Sequence, residues 1–341
     1  MGLLMVKRKV RIFHILMIAA GLSFLLSATG TLPARVVEYG FSRPVFPTIS
    51  HIAGIAADAL PFSWLDPLVV LAVLFLIIVV RWRLWRALAG TAAAGYLLFF
   101  WSWGVNYHRQ GIELKLGLEG AQASKVEVDA FTKKVAEELN RLWPMTASAS
   151  IEQSAIAQKA SDRTRTVIAR LDGKDWTAAS KIKRSWIIDP WFRAAGVEGM
   201  FNPIVHEPIV TSRLLNFERP FVMCHELAHV RGYPDEGDAN LAALFATLSS
   251  DDPLFQYSGW FQLWLYLRTP ELDELLDDGP RLDLQLYYLR VQAQQIRWIS
   301  NFQAAMLDWF LKANDVDEGI RSYARFVTVA VASQNRWEEF R

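Results

Sequence analysis

The sequence predicts a mainly α-helical protein in which three N-terminal transmembrane helices precede a mostly helical body with a small β-sheet. Three long apolar runs lie within the first 105 of the 341 residues. In the chain that follows, apolar residues recur at helical spacing between polar ones. The hydrophobic share of 52% is high for a protein surrounded by water, which agrees with a membrane-embedded part.

Each apolar run is long enough for a helix that crosses a bilayer core, which takes about 20 residues. The runs cover residues 12–32, 61–80 and 84–105. A basic head that includes Lys7 and Arg11 precedes the first run, as it would in a cleaved signal peptide. The length of the run and its weak cleavage signal favour a retained span instead.

Basic residues predict the orientation of these spans. The head before the first run and the loop that carries Arg81, Arg83 and Arg86 should both face the cytoplasm. The sequence therefore divides into a membrane domain, residues 1–105, and an extracytoplasmic domain, residues 106–341. It predicts an integral protein of the cell (inner) membrane with a cytoplasmic N-terminus and lipid as one partner.

Composition excludes two classes of site. The 36 basic and 35 acidic side chains nearly balance, so no strong field favours nucleic acid as a partner. Cys224 is the only cysteine, which excludes an internal disulfide and the cysteine-rich kinds of zinc site.

Local patterns predict elements of the body. Residues 124–143 show helical periodicity behind a capping box, Ser124 and Glu127. Residues 202–216 are the best strand candidate, because this segment contains several β-branched residues and two prolines. The run Phe255–Leu267 is too short to span a membrane, and its aromatic residues predict a surface that touches lipid.

A His-Glu-x-x-His motif carries the chemistry. His225 and His229 lie one helical turn apart on one face, where two imidazoles can bind one zinc ion. The adjacent Glu226 can reach a water activated by the metal and act as general base. A catalytic zinc site has three protein ligands and one open position, so a third ligand is needed.

The third ligand should follow the bend after the motif. Gly232 and Pro234 end the motif helix, and a second helix starts in the acidic segment beyond them. Glu236 and Asp238 both lie where a first-turn carboxylate could face back towards the histidines. Asp235 suits the N-cap of this second helix.

Other residues are weaker candidates. Glu207, on the predicted strand, could bind substrate, although a solvated strand face explains it as well. An oxyanion donor is also expected in a peptidase, and the sequence does not choose among the candidates Tyr257, Tyr287, Tyr288 and Arg213.

Four segments resemble an uncharacterised bacterial family of zincin-like membrane proteins known only as a domain of unknown function. They are WGVNYHRQGIELKLGL, HELAHVRGYPDEGDAN, FQYSGW and SYARFV. In the pattern of that family, a glutamate followed by Ala-Asn stands where this chain has Asp238. The resemblance therefore implies a gluzincin-type peptidase with Asp238 as third ligand and Glu236 as the alternative.

These observations together predict a membrane-anchored zinc metalloendopeptidase that hydrolyses peptide bonds at the outer face of the cytoplasmic membrane. Its partners would be a peptide or protein substrate and membrane lipid. The alternative is a non-catalytic envelope protein that binds zinc structurally or binds a partner without cutting it.

Overall fold

The computed structural model describes residues 2–146, 152–178, 181–313 and 322–341, and these are mainly helical with one small sheet. The α-helices of this part of the chain are α1 Gly2–Ala28, α2 Ala34–Val37, α3 Phe46–Asp58, α4 Leu65–Trp82, α5 Trp85–Ser102, α6 Ile112–Lys115, α7 Lys125–Thr146, α8 Gln153–Asp172, α9 Asp189–Ala195, α10 Arg219–Val230, α11 Glu236–Leu248, α12 Pro253–Leu267, α13 Asp278–Gln294, α14 Arg297–Ala313 and α15 Ser322–Ser333. The strands are β1 Gly199–Asn202 and β2 Glu207–Val210.

Two helices, not three, are long and apolar enough to cross a membrane in the described chain. They are α4 and the part of α1 from Arg11 to Ala28, and only 11% of each is buried within the protein. A core helix of a water-soluble protein would be mostly buried, so both helices present their apolar side chains outwards. The prediction of a third span over residues 84–105 is wrong by this measure. Helix α5 contains a run of small residues, which contribute little apolar surface.

Helix α10 lies at the centre of the body. It packs against α8, α11, α12 and both strands. Its buried residues join one large apolar core that includes the fully buried Cys224. The motif helix is therefore held on several sides, which makes it a rigid support for a site.

The predicted small sheet is present, but its strands are shorter than the strand candidate. The two strands pair antiparallel, with Gly199 opposite Val210 and Asn202 opposite Glu207. Of the predicted strand at residues 202–216, only Glu207–Val210 is extended and paired as β2. Lys183 forms a bridge to Ile209 on the outer side of β2. No described strand pairs with the other edge of β1.

The helix predicted over residues 124–143 is confirmed. Helix α7 begins at the predicted capping box, where the Ser124 backbone N–H donates to a Glu127 carboxylate oxygen at 2.8 Å.

The run Phe255–Leu267 forms a helix, α12, but the prediction that it touches lipid is wrong. Its aromatic residues, including Phe255, Trp260 and Trp264, are buried in the core instead.

Two buried carboxylates join the body to the start of α4. Glu207 accepts hydrogen bonds from the backbone N–H groups of Trp64 and Leu65, each at 3.1 Å. In the other direction, Asp66 accepts from the N–H groups of Trp186 and Ile187, at 3.0 and 3.1 Å. The Glu207 bonds satisfy backbone donors that the first turn of α4 leaves unpaired, and the Asp66 bonds hold the turn before α9.

A buried charge cluster joins the segment before α3 to the body. Arg109 pairs with Glu38 at 3.1 Å and with Asp172 at 3.0 Å, and Lys115 pairs with Asp172 at 2.7 Å. The Tyr233 hydroxyl also donates to Asp172, at 2.6 Å. Burial raises the pKa of the Asp172 carboxyl, but the charges of Arg109 and Lys115 outweigh this effect and bring it to about 2.

Replacing Asp172 with Asn should lower the free energy of unfolding by about 3–5 kcal/mol at pH 7, because two buried cations then lose a partner. The folded-state pKa lies below the ordinary value of 3.8. The carboxylate therefore stabilises the fold above that value, and this contribution disappears as the pH falls towards 2. Denaturant titrations of the detergent-solubilised chain should show the difference between wild type and D172N narrowing below about pH 4.

The matched control is Asp175→Asn, three residues along the chain. Asp175 pairs with Arg165, and both side chains are about half exposed. Exposed pairs contribute at most about 1 kcal/mol, so this variant should unfold almost as the wild type does. Equal losses in the two variants would contradict the importance given to the buried cluster.

Candidate metal centre

Helix α10 presents the motif because both of its ends are defined by sequence. Pro220 lies in its first turn, where a missing N–H costs nothing. Gly232 follows its last turn with a φ of 81°, in the left-handed region that glycine favours. A side chain at Gly232 would also overlap Phe46, since an added Cβ would lie 2.7 Å from the ring.

The bend brings the start of α11 back beside α10. Asp235 is the N-cap of α11, as predicted, and its carboxylate accepts from the Asp238 N–H at 2.9 Å. Glu236 is the first residue of α11. Its carboxylate therefore reaches the two histidines from the neighbouring helix.

Three side chains converge as a metal site requires. His225 and His229 face each other with their Nε2 atoms 3.1 Å apart. The Glu236 Oε2 atom lies 3.2 Å from Nε2 of His225 and 3.9 Å from Nε2 of His229. Zn–N bonds of about 2.0–2.1 Å at tetrahedral angles place two nitrogens roughly 3.3 Å apart. The ligand atoms are thus spaced almost as a zinc ion would hold them.

Hydrogen bonds on the outer side of each imidazole fix its proton. Nδ1 of His229 lies 2.7 Å from the Tyr233 carbonyl oxygen, which can only accept, so Nδ1 carries the proton. Nδ1 of His225 lies 2.9 Å from Oδ1 of Asn240 and donates in the same way. Both Nε2 atoms therefore point at the centre of the cluster, where a metal ion would bind them. Such outer hydrogen bonds are the usual supports of metal-binding histidines.

Burial and the charge of Glu236 shift the pKa values of the two imidazoles in opposite directions. Burial lowers the pKa of both imidazoles, but for His225 the Glu236 carboxylate outweighs it and raises the pKa to about 9. His229, where burial dominates, has a pKa of about 4. Without an ion, His225 therefore keeps a proton on Nε2 beside Glu236, and a metal ion that replaces this proton would meet two lone pairs and a carboxylate oxygen.

Asp238 lies elsewhere, which corrects the preference that the family resemblance implied. Its Oδ1 accepts from the Ile112 N–H at 2.9 Å, and its carboxylate lies against Gly111. It lines a separate cavity of about 460 Å³, whose walls include neither motif histidine. Glu236, the alternative ligand, is the carboxylate that the fold brings to the histidines.

Glu226 is buried beside the cluster and against strand β1. It is 4% exposed, and no group in the described part of the chain donates a hydrogen bond to its Oε2 atom. Burial raises its pKa to about 8, with the Glu236 charge acting in the same direction and the His225 charge opposing it. Gly199 makes the close approach possible, because an added Cβ there would lie 2.8 Å from Cδ of Glu226.

The structure does not bring the weaker candidates to the cluster. Glu207 is fully buried and holds the start of α4, so it is not available to substrate. Tyr257 donates to Asp283 at 2.8 Å, and the Tyr288 hydroxyl accepts from Arg268 at 2.8 Å. Arg213 is exposed.

Tyr287, the remaining oxyanion-donor candidate, lies beside Arg290.

The sequence did not point to Tyr266, which lies at the end of α12. Burial raises the pKa of Tyr266 to about 12, and its hydroxyl is close enough to Asn240 and Glu236 to interact with both. Asn240 was also missed, although it lies one turn after Glu236 on α11, and that spacing was the available signal.

The chain belongs to a family described as protein of unknown function (DUF3810), which it matches over residues 41–331. This confirms the resemblance to a domain of unknown function. No curated protein and no solved structure matches the chain. The zincin-like character of the family stays a prediction.

Glu236→Gln and Asp238→Asn are a matched pair that separates the two ligand assignments. Purified wild type should hold one zinc per chain. Glu236→Gln should weaken zinc binding by more than the roughly 10–100-fold loss that follows changes around a metal ligand. Asp238→Asn should bind zinc as the wild type does. Competition with a chromophoric chelator measures the affinities, and the reverse order of the two variants would restore Asp238 as ligand.

Proposed function

We propose that the protein is a membrane-anchored zinc metallopeptidase in which His225, His229 and Glu236 bind the metal and Glu226 is the general base. One observation carries this proposal: three lone-pair atoms converge within 4.8 Å beside a buried carboxylate that has an unpaired oxygen. A merely structural pair of histidines does not require either feature.

The number of ligands favours catalysis over a structural role. A structural zinc site fills all four positions with protein side chains, whereas a catalytic site keeps one position open. Among the described residues the cluster contains three ligand-bearing side chains. This supports the enzyme over the alternative, an envelope protein that uses zinc only for its fold.

The chain's own residues perform the proton transfers. A bound zinc ion would supply Lewis acidity, which polarises a carbonyl group and makes water more acidic. Glu226 accepts the proton of the attacking water at Oε2 and transfers it to the leaving amine. Burial and the Glu236 charge raise the pKa of Glu226 to about 8 without a metal, and the charge of a bound ion would lower this pKa and free the carboxylate to accept the proton. Tyr266, whose hydroxyl interacts with Glu236 and Asn240, is the candidate donor to the oxyanion.

The strand next to Glu226 suggests how a peptide binds. Gly199 and Met200 are partly exposed, and the edge of β1 away from β2 pairs with no described strand. An extended peptide that adds to this edge would pass its carbonyl groups beside Glu226.

The site lies next to the membrane-proximal chain, so we infer substrates that are cut near a membrane surface. The indole of Trp103, which directly follows α5, donates to the His229 carbonyl oxygen at 3.2 Å. Anchoring would occur through α1 and α4, and α5, although less apolar, packs against both and returns the chain to Trp103 at the body. The ends of these helices away from the body carry the basic residues, which supports a body outside the cytoplasm and an N-terminus inside.

Glu226→Gln should retain zinc and lose peptidase activity by about 10²–10⁴-fold, because the amide cannot accept the proton. The measurement is hydrolysis of fluorescently labelled casein by the detergent-solubilised chain, together with its zinc content. Glu137→Gln, an exposed position on α7, is the control and should cleave as the wild type does. Full zinc with unchanged cleavage in Glu226→Gln would exclude the enzyme.

The orientation can be tested separately from activity. An enzyme reporter that works only outside the cytoplasm, fused after Arg341, should be active in intact cells. A second fusion in the loop between α4 and α5, at Arg83, should be inactive. The opposite pattern would place the body in the cytoplasm while leaving the metal site unaffected.

A further inference from the structure

Helix α14 has an exposed apolar face that the proposed site does not use. Trp298 is 68% exposed and Trp309 is 65% exposed, and Phe302 and Met306 between them are also exposed. At 3.6 residues per turn these four side chains lie within about 80° of one another around the helix. They form one stripe, which we name the α14 stripe.

The other faces of α14 differ from this stripe. Ile299 is buried, and Gln303 accepts a hydrogen bond from the Trp191 indole of α9, so this side packs on the body. The exposed polar side carries Arg297 and Asn301. An apolar stripe beside a polar face is the pattern of a helix that lies in a membrane interface. Tryptophans at both ends suit that position, because indoles favour the headgroup level.

The position of α14 in the fold indicates what covers the α14 stripe, because the helix is connected to the start of the apolar helix α4. The helix begins where the Ile296 N–H donates to the Ala194 carbonyl oxygen of α9, at 2.8 Å. The loop just before α9 is bound to Asp66, at the start of the apolar helix α4. On that loop the exposed Trp186 stacks on Phe62, which precedes α4, with ring centroids 6.0 Å apart. Exposed apolar side chains thus continue from α4 through this loop towards α14.

We propose that the α14 stripe lies on the lipid surface of the membrane that α1 and α4 enter. It is a second lipid contact of the body, separate from the spans, and it fixes how the body sits on the bilayer. This assignment rests on the proposed membrane anchoring. It also moves the lipid-facing role from α12, where the sequence placed it, to α14.

Lipid quenching of a single label tests the stripe in the full chain. Met306→Cys and Ala304→Cys would each be labelled with a thiol fluorophore, since the native Cys224 is fully buried. The chain would then be placed in vesicles of phosphatidylcholine and phosphatidylglycerol. Positions 304 and 306 are both exposed but point about 160° apart around the helix. The label at position 304 is therefore the control for the label at position 306 on the stripe.

The label at position 306 should be quenched by lipids brominated near the headgroup end of their chains, because an interfacial helix sits about 5–10 Å into that boundary. The label at position 304 should instead be quenched by aqueous iodide. Phe302→Cys, on the same stripe, should repeat the result at position 306. This repeat guards against a local defect in one variant.

Equal iodide quenching at positions 304 and 306 would overturn the proposal. So would a label at position 306 that is protected from both quenchers, together with cross-linking of two Met306→Cys chains in detergent, since a second copy would then cover the stripe. Carbonate extraction separates this failure from that of anchoring. A chain extracted from the vesicles overturns both proposals, whereas a retained chain with an unquenched label at position 306 overturns only the stripe.

Discussion

Hydrogen bonds to the carbonyl groups at the end of α10 determine where His225 and His229 lie. The carbonyl oxygens at the end of a helix have no partner within it. Here Trp103 donates to His229, Ser50 to Val230 and Arg109 to Gly232. Each donor comes from a segment that the sequence assigned to the membrane domain or to its border. The site therefore depends on chain that precedes the body, and a fragment that starts at residue 106 would lose two of these three donors.

Helix geometry explains why the sequence did not show which carboxylate, Glu236 or Asp238, lies beside the histidines. Glu236 and Asp238 are two residues apart, so their side chains point about 200° apart on α11. Only one of them can face α10. A contact between residues far apart in sequence decides which one does, because the Ile112 N–H binds Asp238 on the side of α11 away from α10. The motif spacing predicted a carboxylate after the bend, but no local pattern could have chosen between the two residues.

Much of the remaining fold could be predicted from local sequence signals. The elements that were predicted wrongly or missed share a few physical causes. The capping box of α7 and the glycine after α10 act within a few residues, and both were predicted from the sequence. Helix α12 shows what local signals cannot predict, because the sequence of an apolar aromatic helix is the same whether the helix is buried in a protein core or faces lipid. The α14 stripe was missed for the same reason. Strand β1 has only four residues, too few for an alternating pattern to show.

A buried oxygen of Glu226 bears on the choice between a catalytic and a structural site. Oε2 of Glu226 has no hydrogen-bond partner in the described chain, as is also true of a few buried polar atoms elsewhere, such as the ring nitrogens of His206. Each such atom costs about 1–3 kcal/mol of stability, so proteins contain few of them. A general base needs an oxygen that is free to accept the proton of a water, whereas a purely structural zinc site does not. Because Glu226 lies beside the histidine pair, its unpaired oxygen supports the catalytic proposal by an argument separate from the ligand spacing.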